Sequence, residues 1–512
     1  MMDNVIPHLH LKMRPRVTFA LLMVSFASSF AQNATELKLQ LAAGNVEALF
    51  QDDAGYVAAS QPYNLRYIVE PIAIAYPESV EQISTVVKAG VNQTLKVVAR
   101  SGGHSYIANG LGGTNGSLVV DLSQMKNITV DAVTGNAMIE PGNRLGDVAL
   151  VLNDAGRGLP HGRCTYVGIG GHSGKCFGGW GFASRMWGMT LDNVLSATVV
   201  LANGSIVIAS EDSNPELYWG IRGSSASFGI VASLEFRTYV VPSSATAFEF
   251  IWEMDIPTAS NAFMEFQSWA LSGNVPLEFG GEIAFLKGLA YGQVQFAFLG
   301  NYFGPADSFN STIAPFFDKL PIPNTTNVTQ GTWIEALTAI AAGNMNTTVL
   351  PDTNDTFYAK SLMAPQLSPL TNASMIALVT YLSEVGFNNS DFWHVEVELY
   401  GGNHSVINQV DLNDTAFAHR DTLFTFQPYT SSPNLLPPYP NNGFEFVDGM
   451  ISSLTSNMPS DWEWGAYPNY IDDRLPDWQR RYYGSHYDRL RLFKSLVDPF
   501  DTFHFPTSIE EL

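Results

Sequence analysis

Charge is scarce in this chain. Only 14% of its 512 residues are charged, and 26 Lys and Arg stand against 48 Asp and Glu, a net of −22. With so little positive charge there is no basic patch to lay against phosphate, which argues against nucleic acid or an anionic membrane surface as partner. Neutral or weakly cationic small molecules fit the balance better. Cysteine is rarer still, with two residues, so no disulfide framework can carry the fold. Beyond the N-terminus no apolar run is long enough for a membrane helix. There are no internal repeats and no low-complexity tracts. What is present is 46% hydrophobic content over a length sufficient for two domains, or for one large domain with an insertion.

The N-terminus reads as an export signal, residues 1–31. Lys12, Arg14 and Arg16 form a basic start, residues 17–30 are apolar, and Ser29, Phe30 and Ala31 form a small-x-small cleavage site. Glycosylation triplets support export. They begin at Asn92, Asn115, Asn127 and Asn203, and crowd between Asn310 and Asn413, where large exposed loops are expected.

Periodicity predicts short helical pieces over 37–40 and 46–50, and β-type runs over 66–69 and 71–77. A helix follows through Val87, with Ser79 as its N-cap and Gln82 three residues on. A buried-type strand over 95–99 runs into RSGGHSY, beginning at Arg100. Glycines after a strand free backbone N–H groups to meet phosphate. Strands over 118–122 and 138–140 and a helix over 145–152 come next. Residues 197–209 read as a hairpin turning at Asn203 and Gly204. A helical turn covers 216–222, and a strand enters at Gly229. From about 246 to 450 the pattern is strands such as 293–298 and 393–399 between helices such as 333–342 and 374–384, a sheet covered by helices on one side.

Between these parts lies a glycine-dense stretch, residues 162–193, that holds both cysteines, Cys164 and Cys176. Glycine at that density means backbone lying against something with no side chain between. From composition alone, Cys164 and Cys176 would close one small disulfide.

RSGGHSY at Arg100 and GRCTYVGIGGH at Gly162, together with SRMWGMTLDN at Ser184, YWGIRG at Tyr218, ELYGG at Glu398 and YPNY at Tyr467, resemble the FAD-linked oxidases of the berberine-bridge-enzyme type. Within the vanillyl-alcohol oxidase superfamily they are most similar to the fungal oligosaccharide oxidases. The resemblance covers the whole mature chain. It implies an α+β fold: a two-part FAD-binding domain of the vanillyl-alcohol oxidase/PCMH type over 32–245, an inserted substrate domain over 246–450 with an antiparallel sheet covered by helices, and a C-terminal segment over 451–512 that returns to complete the site.

The resemblance also implies a bicovalent flavin, with His104 bonded to the 8α-methyl and Cys164 to C6. A thiolate that attacks the ring needs a polar, accessible setting rather than a disulfide. Ser101, Gly102, Gly103 and Ser105 would meet the pyrophosphate, Gly170, Gly171 and Gly174 would lie on the second loop, and Ile230 and Val231 near the adenine. Two departures stand out. Thr165 replaces the usual proline after the cysteine, and HSGKCFGG from His172 is lengthened and adds Cys176. These keep a Cys164–Cys176 disulfide, with only His104 bonded, as an alternative.

Oxidising an alcohol carbon needs a hydride acceptor, a base for the hydroxyl proton and a wall that orients the carbon. By resemblance Tyr470 is the base. A tyrosine is a poor base unaided, so a carboxylate partner is needed. Alternation along 393–399 puts His394, Glu396 and Glu398 on one face, with Glu398 the first choice and Glu396 the second. Tyr106 and Tyr467 would shape the floor, and Val167 falls where the family admits oxygen. His172 is either a flavin contact or a histidine satisfied by loop backbone. Trp333 and Trp393 are conceivable sugar platforms. The expected activity is a secreted oxidase that turns the reducing-end C1 of an oligosaccharide into a lactone and reduces O2 to H2O2. Its partners would be the small-molecule substrate and O2, with no nucleic acid, membrane or metal, and the chain a monomer. The alternatives are an oxidase of an alkaloid, polyketide or phenolic metabolite, and a non-catalytic secreted binding protein on the same scaffold.

Overall fold

The computed structural model describes residues 34–175 and 178–512. The expected export segment and Cys176 lie outside the described residues.

A four-stranded sheet opens the fold, in the order β1 (Glu47–Phe50), β2 (Ala73–Tyr76), β4 (Leu118–Asp121), β3 (Val97–Arg100). β4 runs parallel to β2 and to β3. Parallel strands need a crossover, and helix Val80–Asn92 carries the chain from β2 to β3, on either side of β4. Its start is the predicted one: the Ser79 side chain accepts from the Gln82 N–H at 3.3 Å. Two local expectations fail. Residues 47–50 pair antiparallel with β2 instead of forming a helix; the available sheet edge outweighs a short stretch's weak preference. Residues 66–69 form no strand, although their types favour one, because among the described residues none pairs with them; the isolated bridge from Asn64 to Asp355 lies just before them.

A five-stranded antiparallel sheet follows, in the order β5 (Ile128–Val130), β6 (Ala137–Ile139), β10 (Ile230–Phe236), β8 (Val194–Val200), β9 (Ile206–Ser210). The β8–β9 hairpin turns at Asn203 and Gly204 as expected, and Gly204 carries the positive φ of +77° that the turn demands. Two short strands, β7 (Arg157–Gly158) and β11 (Tyr239–Val240), pair beside it.

The third sheet has eight strands: β12 (Ala245–Asp255), β13 (Phe279–Lys287), β14 (Gln293–Tyr302), β15 (Thr325–Gly331), β16 (Phe357–Ala359), β17 (Leu362–Pro365), β18 (Phe392–Leu399) and β19 (Thr422–Ser431). β13, β18 and β19 are consecutive neighbours. One face is apolar. Val395, Val397 and Leu399 of β18 are fully buried there with Phe263 and Phe266 of helix Ile256–Leu271 and Leu378 and Leu382 of helix Asn372–Asn388. Each such side chain contributes roughly 1.5–3 kcal/mol of burial, and that fixes which face is left for polar residues. Trp393 and Trp333 belong to cores, each 2% exposed, so neither is a sugar platform. In a strand every second side chain turns inward, and Trp393 is on the inward phase.

The C-terminal segment comes back across the molecule. The Val97 N–H donates to the Thr502 carbonyl at 2.8 Å, and buried Lys494 pairs with Asp498 at 2.7 Å while donating to the Ser227 carbonyl. Among the described residues no helix is long and apolar enough to cross a membrane.

Candidate active site

Two glycine loops meet backbone to backbone. A Cβ on Gly102 would lie 2.3 Å from the Gly168 nitrogen, and a Cβ on Gly168 would lie 2.2 Å from the Gly102 nitrogen. No side chain fits at either position, so the glycines there follow from close approach. The second loop is pinned to the start of helix Leu145–Asp154, where Leu145 N–H donates to the Val167 carbonyl and Gly146 N–H to that of Thr165. Its far side is held by residue 342: Thr165 N–H donates to the Ala342 carbonyl at 3.2 Å, and Ala342 N–H donates to that of Arg163 at 3.0 Å.

Three cavities adjoin the meeting point. The largest, about 1060 Å³ of atom-free space, is lined by both loops and by residues from β18, β19 and the 467–471 segment. The second, about 880 Å³, shares Arg100, Ser101, Gly102, Gly103, His104 and Gly110 with it. The third, about 300 Å³, lies between Ser101, Gly170, Gly229 and Val231. A long trough floored by backbone and glycine, with a large chamber at one end, fits a flavin dinucleotide. Val231 lines it. Ile230 does not: it is 1% exposed and packed in the core of the first sheet, because alternation along β10 turns it inward. Arg100 holds the first loop from behind, pairing with Asp121 and donating to the Ala59 carbonyl at 2.6 Å. Ser101 donates to the Pro141 carbonyl, and Ser105 accepts from the Asn109 N–H. Gly171 has open space where a side chain would be, and Gly174 lies in the π-helical turn Gly171–Lys175.

His104, Cys164 and Val167 all face the large chamber. Among the described residues the Cys164 thiol has no disulfide partner, and it is open to the cavity. Its depth below the protein surface pushes its pKa up to about 11, against the pull of neighbouring Arg163. His172 lines the chamber and is also tied to loop backbone. Its Nε2 accepts from the Gly162 N–H at 3.0 Å, and burial lowers its pKa to about 3, so the ring is neutral with its proton on Nδ1.

Opposite stands the acidic strand, and Glu396 and Glu398 of β18 both line the chamber. The Tyr470 hydroxyl, on the turn Pro468–Tyr470, donates to Glu398 Oε1. Glu398 is 2% exposed, and its Oε2 has no hydrogen-bond partner. Burial raises both pKa values well above their ordinary ones, with the like charge of Glu282 adding to the rise at Glu398. Tyr106 stacks on Tyr470 with ring centroids 5.9 Å apart, and its hydroxyl accepts from Gln427 at 2.7 Å. Tyr467 lines the chamber, and its hydroxyl accepts from the N–H groups of Gly179 at 2.8 Å and Trp180 at 3.1 Å, so it ties the second loop to the C-terminal segment.

Several residues at the site had not been singled out in the sequence. Arg163 bridges Glu396 and, at 3.1 Å, Glu282. Burial would lower the pKa of Arg163, but the two carboxylates outweigh it. Burial would likewise raise that of Glu396, but Arg163 holds it below its ordinary value. Glu282, 1% exposed, has its pKa pushed up to about 8 by burial. The one signal for Glu282 was a lone acid among buried residues of β13, and Gln427 offers the same sign in β19. Asp352 and Tyr63, which contact His104 at 2.5 Å and by ring stacking at 4.1 Å, lie in irregular segments where periodicity says nothing.

Known proteins resemble this chain. A model of the FAD binding domain matches residues 71–210, and a model described as berberine and berberine like matches residues 466–510. The chain is 35% identical over 509 residues to the xylooligosaccharide oxidase of Thermothelomyces thermophilus, covering 97% of this chain and 98% of that protein. It is 36% identical over 454 residues to the chitooligosaccharide oxidase of Gibberella zeae, covering 88% and 89%. The solved structure of glucooligosaccharide oxidase from Acremonium strictum, described with a 6-S-cysteinyl, 8α-N1-histidyl FAD, superposes with a TM-score of 0.85 at 32% identity, covering 93% of this chain and 99% of that one. With its PCMH-type FAD-binding fold, glycine trough and buried tyrosine–carboxylate pair, the chain belongs to the berberine-bridge-enzyme-like FAD-linked oxidases and is an FAD-dependent oxidoreductase.

Proposed function

We propose that this protein is an exported oligosaccharide oxidase, carrying FAD bonded through His104 and Cys164, that oxidises the reducing-end C1 hydroxyl to a lactone and passes the electrons to O2, giving H2O2. The observation that carries it is the hydrogen bond from Tyr470 to buried Glu398 in the chamber that His104 and Cys164 also face. The similar proteins named above oxidise xylo-, chito- and glucooligosaccharides, which supports the substrate class. The expected glycosylation sites are exposed, apart from half-buried Asn354, which suits an exported chain.

The bound flavin supplies the hydride acceptor. Tyr470 takes the proton of the C1 hydroxyl as it hands its own to Glu398. A phenol alone is a poor base at neutral pH, but a carboxylate made more basic by burial is matched to that exchange. Oε2 of Glu398 has no competing donor, so the carboxylate is free to receive. Tyr106 flattens the wall behind Tyr470, and Gln427 and Glu396 offer an amide and a charged acceptor to the sugar's remaining hydroxyls. Arg163 keeps Glu396 ionised and in place. Val167, half-buried in the chamber wall, leaves O2 room to approach.

H2O2 production on xylo-, cello- and chitooligosaccharides, each run beside the same sugar with its reducing end converted to the alditol, tests the proposal. Activity on the sugars and none on the alditols is expected. Equal activity on both would remove C1 as the reacting carbon, and activity only on phenolic or amine substrates would remove the sugar altogether. The masses of the flavin-bearing peptides test the two attachments, and a Cys164 peptide paired with Cys176 would sink the bicovalent assignment.

A further inference from the structure

His104 lines both the large chamber and the adjoining cavity of about 880 Å³. Its ring is held from two sides by residues outside the RSGGHSY loop. Tyr63 stacks on its face at 4.1 Å with 25° between planes. Asp352 Oδ2 lies 2.5 Å from its Nε2. The loop that bears Asp352 lies between helix Trp333–Ala339 and β16, so the carboxylate is brought to His104 by the chain that joins the large sheet. Arg144 Nη1 lies 3.8 Å from the same Oδ2. Burial would raise the pKa of Asp352, but His104 and Arg144 outweigh it and hold it below its ordinary value. Among the described residues Nδ1 of His104 makes no hydrogen bond to the protein.

We infer that Asp352 is the positioning residue for flavin attachment at His104: it holds the imidazole proton on Nε2 and so leaves the lone pair on Nδ1 as the nucleophile. The inference rests on the bicovalent flavin proposed above. A carboxylate on one ring nitrogen fixes the tautomer and orientation of a histidine and raises the basicity of the other nitrogen. Attachment replaces one C–H bond of the 8-methyl group by a C–N bond to Nδ1. The methyl gives up one hydrogen, His104 gives up the Nε2 proton, and two electrons leave with them. Dioxygen, the oxidant of the proposed reaction, takes both electrons and both protons as H2O2. Asp352, placed on Nε2, is the group that receives that proton as the bond forms. Nothing in this role touches Cys164, whose attachment is an internal control.

The test is peptide mass mapping of the purified flavoprotein for wild type, Asp352→Ala, Asp352→Asn and Asp352→Glu, sampled through the first hours after synthesis and again after incubation with FAD in air. In Asp352→Ala the early flavin occupancy of the His104 peptide is expected to fall at least about tenfold, on the scale of the loss when the orienting partner of a metal-ligating histidine is removed, while the Cys164 peptide keeps its flavin. Asp352→Glu is expected to recover most of the His104 bond. A merely structural defect would lower both attachments together, and that result overturns the inference. So does an Asp352→Ala protein that reaches wild-type His104 occupancy on the wild-type time course. If the alanine variant does not fold, the isosteric Asp352→Asn carries the same comparison, because its amide cannot take up the proton. A wild-type His104 peptide without flavin would overturn the bicovalent assignment itself, a distinct outcome from the failure of Asp352 alone.

Discussion

Tyr470 and Glu398 share a hydrogen bond, and the proton path proposed along it is tested at each residue separately. Tyr470→Phe keeps the ring that Tyr106 stacks on and removes only the hydroxyl. Turnover is expected to drop by about 10²–10⁴, the usual share of general-base catalysis, with flavin absorbance unchanged. Near-normal turnover would remove Tyr470 from the role of base. Glu398 must be ionised to accept the proton, and burial displaces its ionisation upward from its ordinary value of 4.5. Turnover should therefore rise with pH along a limb that lies above the usual carboxylate range, and Glu398→Gln should abolish that limb together with most activity. A wild-type limb at an ordinary carboxylate pH would contradict the burial argument. Glu282 answers in stability. Its pKa in the folded protein, about 8, exceeds the ordinary 4.5, so the folded state holds the proton more tightly than the unfolded chain. Its stabilising contribution is complete below 4.5 and is lost as pH rises through about 8. Melting temperature should fall over that span, and Glu282→Gln should flatten the fall.

At the scale of elements, the two glycine loops and β18 decide the site. Gly102→Ala puts a methyl group 2.3 Å from the Gly168 nitrogen, so the loops must part. The expected result is a folded protein with a markedly lower ratio of flavin to protein absorbance, and a fully loaded Gly102→Ala would mean that the trough lies elsewhere. These elements were legible in different degrees. β18 announced itself by strict alternation, because a strand with one wet face must place acids on every second residue. The glycine loops were legible as loops against a ligand, because only close approach explains such density. Residues 47–50 were misread as helix because four residues carry no periodicity of their own, and their partner, β2, lies more than twenty residues away in the chain.

For the whole molecule, the question is how the C-terminal segment is kept in place, since it brings Tyr467 and Tyr470. Lys360, at the turn between β16 and β17, answers in part: it pairs with buried Asp472 at 2.8 Å and with Asp448 at 3.0 Å. Removing one partner of a buried pair leaves the other charge stranded, at a cost of about 3–5 kcal/mol. Lys360→Met should lower stability by that order in denaturant unfolding. It should also lower turnover with a smaller effect on bound flavin, because the segment that loosens carries Tyr470, the proposed base, and not the glycine loops. A variant as stable as wild type would place the anchor elsewhere, for instance in Lys494 and Asp498.

The sequence by itself determined the glycine loops and the acidic face of β18, which follow from residue type and short spacing because backbone geometry is local; His104, Cys164 and Tyr470 stood out only by the resemblance of the motifs that carry them. Only the tertiary structure decided that Glu282 from β13 and Arg163 from the second loop share charge with Glu396, that His172 and Tyr467 hold loops as they line the chamber, that Ile230 faces the core, and that Asp352 reaches His104 across 248 residues of chain. Those relations depend on which surfaces meet when the large sheet closes over the flavin-binding half. Burial and proximity then set each group's charge, and neither is written in any window of sequence.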